Sequence, residues 1–153
     1  MKAIVTYFSA SGVTKGVAEK IANAIDGDTF EIVPETIYTP QDLDYTNKKS
    51  RSTIEMNDKS FRPAIKETTD LTNYDTVLIG FPVWWYTAPT IINTFIESCD
   101  MTGKTVIPFC TSGESGISTC ENDLKSMYPE LNWKPGRKLN GNETEEQIKN
   151  WIE

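Results

Sequence analysis

Histidine is absent from all 153 residues. Without an imidazole, no Ser-His-Asp or Cys-His hydrolase can be assembled and no His-ligated zinc site can form. Cysteine is scarce: Cys99, Cys110 and Cys120 are odd in number and include no C-x-x-C pair, so they read as reduced thiols, not a disulfide framework. Basic residues are outnumbered, 15 Lys and Arg against 22 Asp and Glu. The resulting net charge of −7 argues against a nucleic-acid binder, whose affinity comes largely from basic side chains at phosphates. No apolar run is long enough to cross a bilayer, so no membrane partner is expected. Met1-Lys2-Ala3-Ile4-Val5 goes straight into a strand, without the apolar region or cleavage site of a signal peptide, and a cytoplasmic location is expected. Any chemistry near neutral pH must then come from elsewhere, and a cofactor is the obvious source.

Hydrophobic residues make up 38% and charged residues 24%, which suits one globular domain over residues 1–153. Residues 3–8 form a nearly continuous β-branched and aromatic run, as expected of a strand covered on both faces. Val13, Val17, Ala18, Ile21, Ala22 and Ile25 then recur at helical spacing, with Gly27 as a stop. Residues 29–33 alternate as a second strand. Residues 35–73 are polar and show no clear period, apart from Thr39-Pro40, which predicts the start of a short helix. A stretch this long should contain local helix or wrap a functional face.

"DTVLIGFPVWW" is the most strand-like segment, with breaks expected at Gly80 and Pro82. "APTIINTFIESC" follows as a helix, "KTVIPFCTS" as a strand and "STCENDLKSMYP" as a polar helix. "NWKPGRKL" is the weakest strand and suits a sheet edge. Asn142 with Glu145 predicts the last helix start, and Ile148, Trp151 and Ile152 its buried stripe. This βα alternation predicts an α/β fold, a mostly parallel sheet with helices on both faces.

Three strand ends are unusual, and ligands of such sheets sit beyond the strands' carboxyl ends. In Ser9-Ala10-Ser11-Gly12-Val13-Thr14, hydroxyls crowd the handover from strand to helix, where unpaired N–H groups and the positive dipole end point outwards. One hydroxyl suffices for a helix cap. Three with a glycine favour a phosphate cradle. Neither G-x-x-x-x-G-K-[ST] nor G-x-G-x-x-G is present, which leaves a monophosphate. Pro82-Val83-Trp84-Trp85-Tyr86-Thr87 places three adjacent aromatics at a strand end. Neighbouring side chains diverge, so one packs in the core and the others are free for a flat ligand. Thr111-Ser112-Gly113-Glu114-Ser115-Gly116 supplies hydroxyls and flexible backbone for a polar rim.

A phosphate, a flat ring and no histidine point to flavin mononucleotide (FMN). At Val5, Tyr7, Ser9, Gly12, Thr14, Ala18 and Ile21 the sequence resembles the flavodoxin signature, departing at Thr6 where an apolar residue is usual. "FPVWWYTAP" and "TSGESG" are similar to the other two loops of a short bacterial flavodoxin-like group. The resemblance implies a doubly wound five-stranded parallel sheet of order 2-1-3-4-5, for which flavodoxin is a standard example, with FMN at the switch point. It also implies that Ser9, Ser11, Gly12, Val13, Thr14 and Lys15 surround the phosphate. Pro82, Val83, Trp84, Trp85 and Tyr86 would line the isoalloxazine, and Thr111, Ser112, Gly113 and Gly116 would close its pyrimidine side.

Other users of this topology fit poorly. A response-regulator receiver needs acidic residues after the first strand and a phosphoacceptor Asp after the third, where this chain has Tyr7-Phe8 and Phe81-Pro82. A phosphatase of the Cys nucleophile type needs an Arg where Gly116 follows Cys110 and Ser126 follows Cys120. Gly113-Glu114-Ser115-Gly116 is not G-x-S-x-G. Two functions fit the resemblance: an electron carrier serving redox partner proteins, or an NAD(P)H-linked reductase of quinones or similar small acceptors. The second loop lacks the glycine that lets many flavodoxins flip a peptide and stabilise one-electron-reduced flavin. On that ground two-electron chemistry is slightly favoured.

Overall fold

The computed structural model describes residues 1–85, 87–111 and 116–152. Its elements run β1 (Ala3–Tyr7), α1 (Val13–Ile25), β2 (Asp28–Glu31), α2 (Arg51–Met56), β3 (Thr76–Pro82) and α3 (Thr90–Ser98). They continue with β4 (Thr105–Thr111), α4 (Ser118–Met127), β5 (Asn132–Trp133), β6 (Arg137–Lys138) and α5 (Glu145–Ile152). The strands form one parallel sheet in the order β2-β1-β3-β4-β5, with β6 also on β4. Thr105 and Val106 pair with β5, and Phe109 and Cys110 pair with β6, so the weak fifth strand is split in two. Pro135 and Gly136 lie at the break. Gly136 passes so near β4 that a Cβ there would stand 2.3 Å from the Pro108 carbonyl oxygen.

Side chains of β1, β3 and β4 alternate between two cores, as the pleat requires. Ile4, Val77, Ile79, Phe81, Val106 and Cys110 face α3 and α4, packing on Phe95, Ile91 and Leu124. Val5, Tyr7, Leu78, Ile107 and Phe109 face the other way, onto Ile21, Ala18 and Ile148 of α1 and α5. This is the doubly wound flavodoxin-like architecture expected from the sequence.

Several boundaries differ from expectation. β3 runs unbroken through Gly80 to Pro82, because the neighbouring Phe109 ring fills the space above the glycine. The left-handed residue ending α1 is Asp26 (φ 53°), one position before Gly27, whose amide reaches back to the Ala22 carbonyl at 2.9 Å. Thr39 and Asp42 exchange side-chain and backbone hydrogen bonds at 2.8 and 3.2 Å, as a capping pair does, yet the chain continues only as turns. The helix of this region starts later, at Arg51, with Ser50 as its cap. α5 is capped by Thr144 and Gln147 (2.9 and 3.1 Å), displacing Asn142 and Glu145 from that role. Val13 lies in the first turn of α1 facing solvent, 57% exposed, and is not a core residue.

Cys110 and Cys120 are fully buried in the core under α4. Burial pushes their thiols up to about 11 and about 12. An unfolded thiol titrates near ~8.5, so the folded state keeps protons that the unfolded chain has lost. The stability contribution is therefore complete below that pH and declines as pH rises. Unfolding free energy in reducing buffer should fall by roughly 3 kcal/mol between about pH 8.5 and 10, from both thiols together. Urea titrations of wild type and of the double Cys110→Ala, Cys120→Ala variant check this. An equal decline in both proteins would assign it elsewhere.

Candidate functional site

β1, β3 and β4 end together on one edge of the sheet, and the loops that follow are stitched to one another. The Phe8 amide donates to the Gly80 carbonyl at 3.0 Å, and the Val83 amide to the Thr111 carbonyl at 3.1 Å. Thr14 and Thr111, both buried, share a hydroxyl–hydroxyl bond of 2.7 Å. The segments after β1 and after β3 thus both reach Thr111, the last residue of β4.

In the first loop, Gly12 (φ 93°) occupies the left-handed region, where a Cβ would be strained, with open space around the position a Cβ would take. Ser9 Oγ accepts from the Gly12 and Lys15 amides, both at 3.1 Å. Ser9 is therefore the helix cap, acting from three positions before the helical boundary residue. Its two acceptor sites are filled, and its hydroxyl proton has no acceptor among the described residues. The Ala10, Ser11, Val13 and Thr14 amides make no hydrogen bond among the described residues. Capping does not use up the donors here: Ser9 takes the Gly12 and Lys15 amides, and four neighbouring amides stay available at a positive helix end. The Lys15 amide is not among those free for a ligand, and Ser11 and Lys15 are exposed.

In the second loop the adjacent aromatics diverge. Trp84 turns inward and meets Phe8 edge-on (5.7 Å between centroids) and Tyr38 (5.5 Å). Trp85 turns outward, 42% exposed, with φ 48°, a left-handed conformation uncommon for a bulky side chain. The Trp84 and Thr87 backbones exchange two hydrogen bonds (2.9 and 3.0 Å) that close this tight turn. The Thr87 hydroxyl anchors it to the Asp123 carboxylate at 2.6 Å. Lack of glycine has thus not kept the loop from positive φ, and the steric ground for disfavouring a peptide flip does not hold. Tyr86, Ser112 and Gly113 lie outside the described residues. Gly116, just before α4, has open space around it.

The sequence did not reveal the support that Trp84 packs against. Tyr38, 8% exposed, packs against Phe8 (5.6 Å) and Trp84. The Arg51 guanidinium lies 3.7 Å from the Tyr38 ring centre. Glu55, almost fully buried, accepts from the Tyr38 hydroxyl and from Arg51 Nε, the latter at 2.8 Å. Burial and the Glu55 hydrogen bond hold the Tyr38 phenol neutral far above the usual tyrosine range. The only sequence signal was the i,i+4 spacing of Arg51 and Glu55.

Among the described residues, no cluster of His, Cys, Asp or Glu could hold a metal ion, and no helix is long and apolar enough to cross a membrane. No curated protein sequence matches the chain significantly. Solved structures do. A flavoprotein candidate from Bacteroides eggerthii is 51% identical with a TM-score of 0.96, over 99% of this chain and 95% of its own. A second candidate, from Bacteroides uniformis, is 53% identical with a TM-score of 0.94, over 99% and 97% of the two chains. A Lactobacillus acidophilus flavoprotein solved in complex with FMN is 26% identical with a TM-score of 0.76, over 99% of both chains. A flavodoxin family model matches residues 2–153. The chain belongs to the flavodoxin family.

Proposed function

We propose that the protein binds FMN at the three stitched loops and works as an electron-transfer flavoprotein. The observation that carries the reading is the first loop, where the free Ala10, Ser11, Val13 and Thr14 amides and the Ser9 hydroxyl proton gather at the N-terminus of α1. This donor set suits a phosphate monoester. The FMN held by the Lactobacillus acidophilus relative supports the choice of cofactor.

When bound, FMN supplies the redox chemistry, and the protein binds and orients it. The Ala10, Ser11, Val13 and Thr14 amides and the Ser9, Ser11 and Thr14 hydroxyls would hold the phosphate, with Gly12 letting it approach the backbone closely. Pro82, Val83, Trp85 and Tyr86 would lie along the ring, with Trp84 supporting them from beneath. Thr111, Ser112, Gly113 and Gly116 would close the pyrimidine edge.

The electron donor and acceptor are a redox partner protein or a small acceptor, with NAD(P)H as a donor in the reductase reading. The dedicated carrier reading draws on the net charge of −7 and on the left-handed turn at Trp85. Stepwise anaerobic reduction followed by absorbance separates the two. A long-wavelength one-electron species favours the carrier, and direct passage to the fully reduced form favours the hydride-linked reductase.

Thr14→Ala should weaken FMN binding by about 1.5–3 kcal/mol, since a donor to a charged group is lost. Calorimetric titration measures it, and an unchanged affinity would remove the Thr14 hydroxyl from the cradle, its amide being kept in the variant.

A further inference from the structure

The long excursion between β2 and β3 contributes the Tyr38–Glu55–Arg51 cluster, and every member is tied down. Arg51 donates to Glu55 and, through Nη1, to the Thr36 carbonyl at 2.6 Å, and its guanidinium faces the Tyr38 ring. The Tyr38 hydroxyl donates to Glu55. Tyr38, Phe8 and Trp84 form a closed triangle of edge-on rings, with centroids 5.5 to 5.7 Å apart. Trp84 in turn begins the two-hydrogen-bond turn that holds Trp85 in its left-handed conformation. An uninterrupted series of contacts therefore runs from the Arg51–Glu55 ion pair in α2 to the strained, solvent-facing residue of the second loop. Strain of this kind persists only where the surroundings over-determine it.

We propose that Arg51 and Tyr38 are positioning residues for the flavin ring: they clamp Trp84, and Trp84 fixes the turn that presents Trp85. The inference rests on the FMN reading above. Its first readout does not require the cofactor.

In apoprotein, Tyr38→Leu should lose near-ultraviolet tryptophan ellipticity, whereas Tyr38→Phe, which keeps the ring, should retain it. Loss of the aromatic contacts should raise the FMN dissociation constant about tenfold in Tyr38→Leu. The dissociation constant for riboflavin should rise by the same factor, because the ring is affected and the phosphate is not. Arg51→Lys keeps the charge but loses the planar stack, and should weaken both flavins about threefold. Folded Tyr38→Leu with unchanged ellipticity and unchanged flavin affinity would overturn the proposal. Should Tyr38→Leu fail to fold, Arg51→Lys decides, and wild-type affinity there overturns it. A wild-type protein that binds no flavin would refute the functional reading, and the ellipticity of the apoprotein variants would still decide the clamp.

Discussion

Glu55→Ala should destabilise the fold by about 2 kcal/mol, because the buried Tyr38 hydroxyl is left without its acceptor and the half-buried Arg51 loses its carboxylate. Glu55 is 3% exposed and receives both the Arg51 guanidinium and the Tyr38 hydroxyl. With the carboxylate gone, the phenol has no acceptor and the half-buried guanidinium keeps only the Thr36 carbonyl. The loss reflects chiefly the buried phenol left unpaired, not the net worth of the ion pair. A double Arg51→Met, Glu55→Leu replacement should recover only part of the stability, since it removes both charges while the Tyr38 hydroxyl still lacks its acceptor. Urea unfolding of the three proteins checks this. A single-variant loss below about 1 kcal/mol would mean that solvent reaches the cluster freely.

Gly80→Ala should cost about 3 kcal/mol, at the upper end of ordinary overpacking. Gly80 pairs with Phe109 across β3 and β4, and the Phe109 ring lies over it. A Cβ would stand 2.1 Å from Phe109 Cζ and 2.3 Å from Cε2. The ring cannot swing away cheaply, being fully buried and set edge-on against Trp151 of α5 at 6.5 Å. The damage should spread to α5, so hydrogen exchange of α5 amides should accelerate along with the loss in denaturation midpoint. A near-neutral effect would show that the core on this face repacks more freely than its geometry implies.

The parts of this fold legible in the sequence are those whose burial is uniform. β1, β3 and β4 lie between two helical layers, so nearly every residue is apolar and the runs stand out. Glycine misled within β3, because at Gly80 the missing side chain makes room for Phe109, whereas the break expected at Pro82 is where the strand ends. Residues 35–73 resisted reading because their order comes from distant partners. Tyr38 is held by Phe8 and Trp84, and Pro34 bridges to Ile65, contacts that leave no local period. At the candidate site, the hydroxyl-rich first loop was legible as a helix start because capping draws on those residue types. The division of labour was not, since only geometry assigns Ser9 to the Gly12 and Lys15 amides. Nor could the sequence show that Trp85 takes positive φ, because its propensities oppose it.

The central claim is a phosphate cradle at the N-terminus of α1 beside a ring-binding second loop, and paired titrations of apoprotein with FMN and with riboflavin test it most directly. Both ligands share the ring, and only FMN carries the phosphate. FMN should bind one per chain and at least about tenfold more tightly than riboflavin, the return on one or more charge-assisted hydrogen bonds. That preference should shrink in Thr14→Ala. Equal affinity for the two ligands, or no binding of either, would contradict the account.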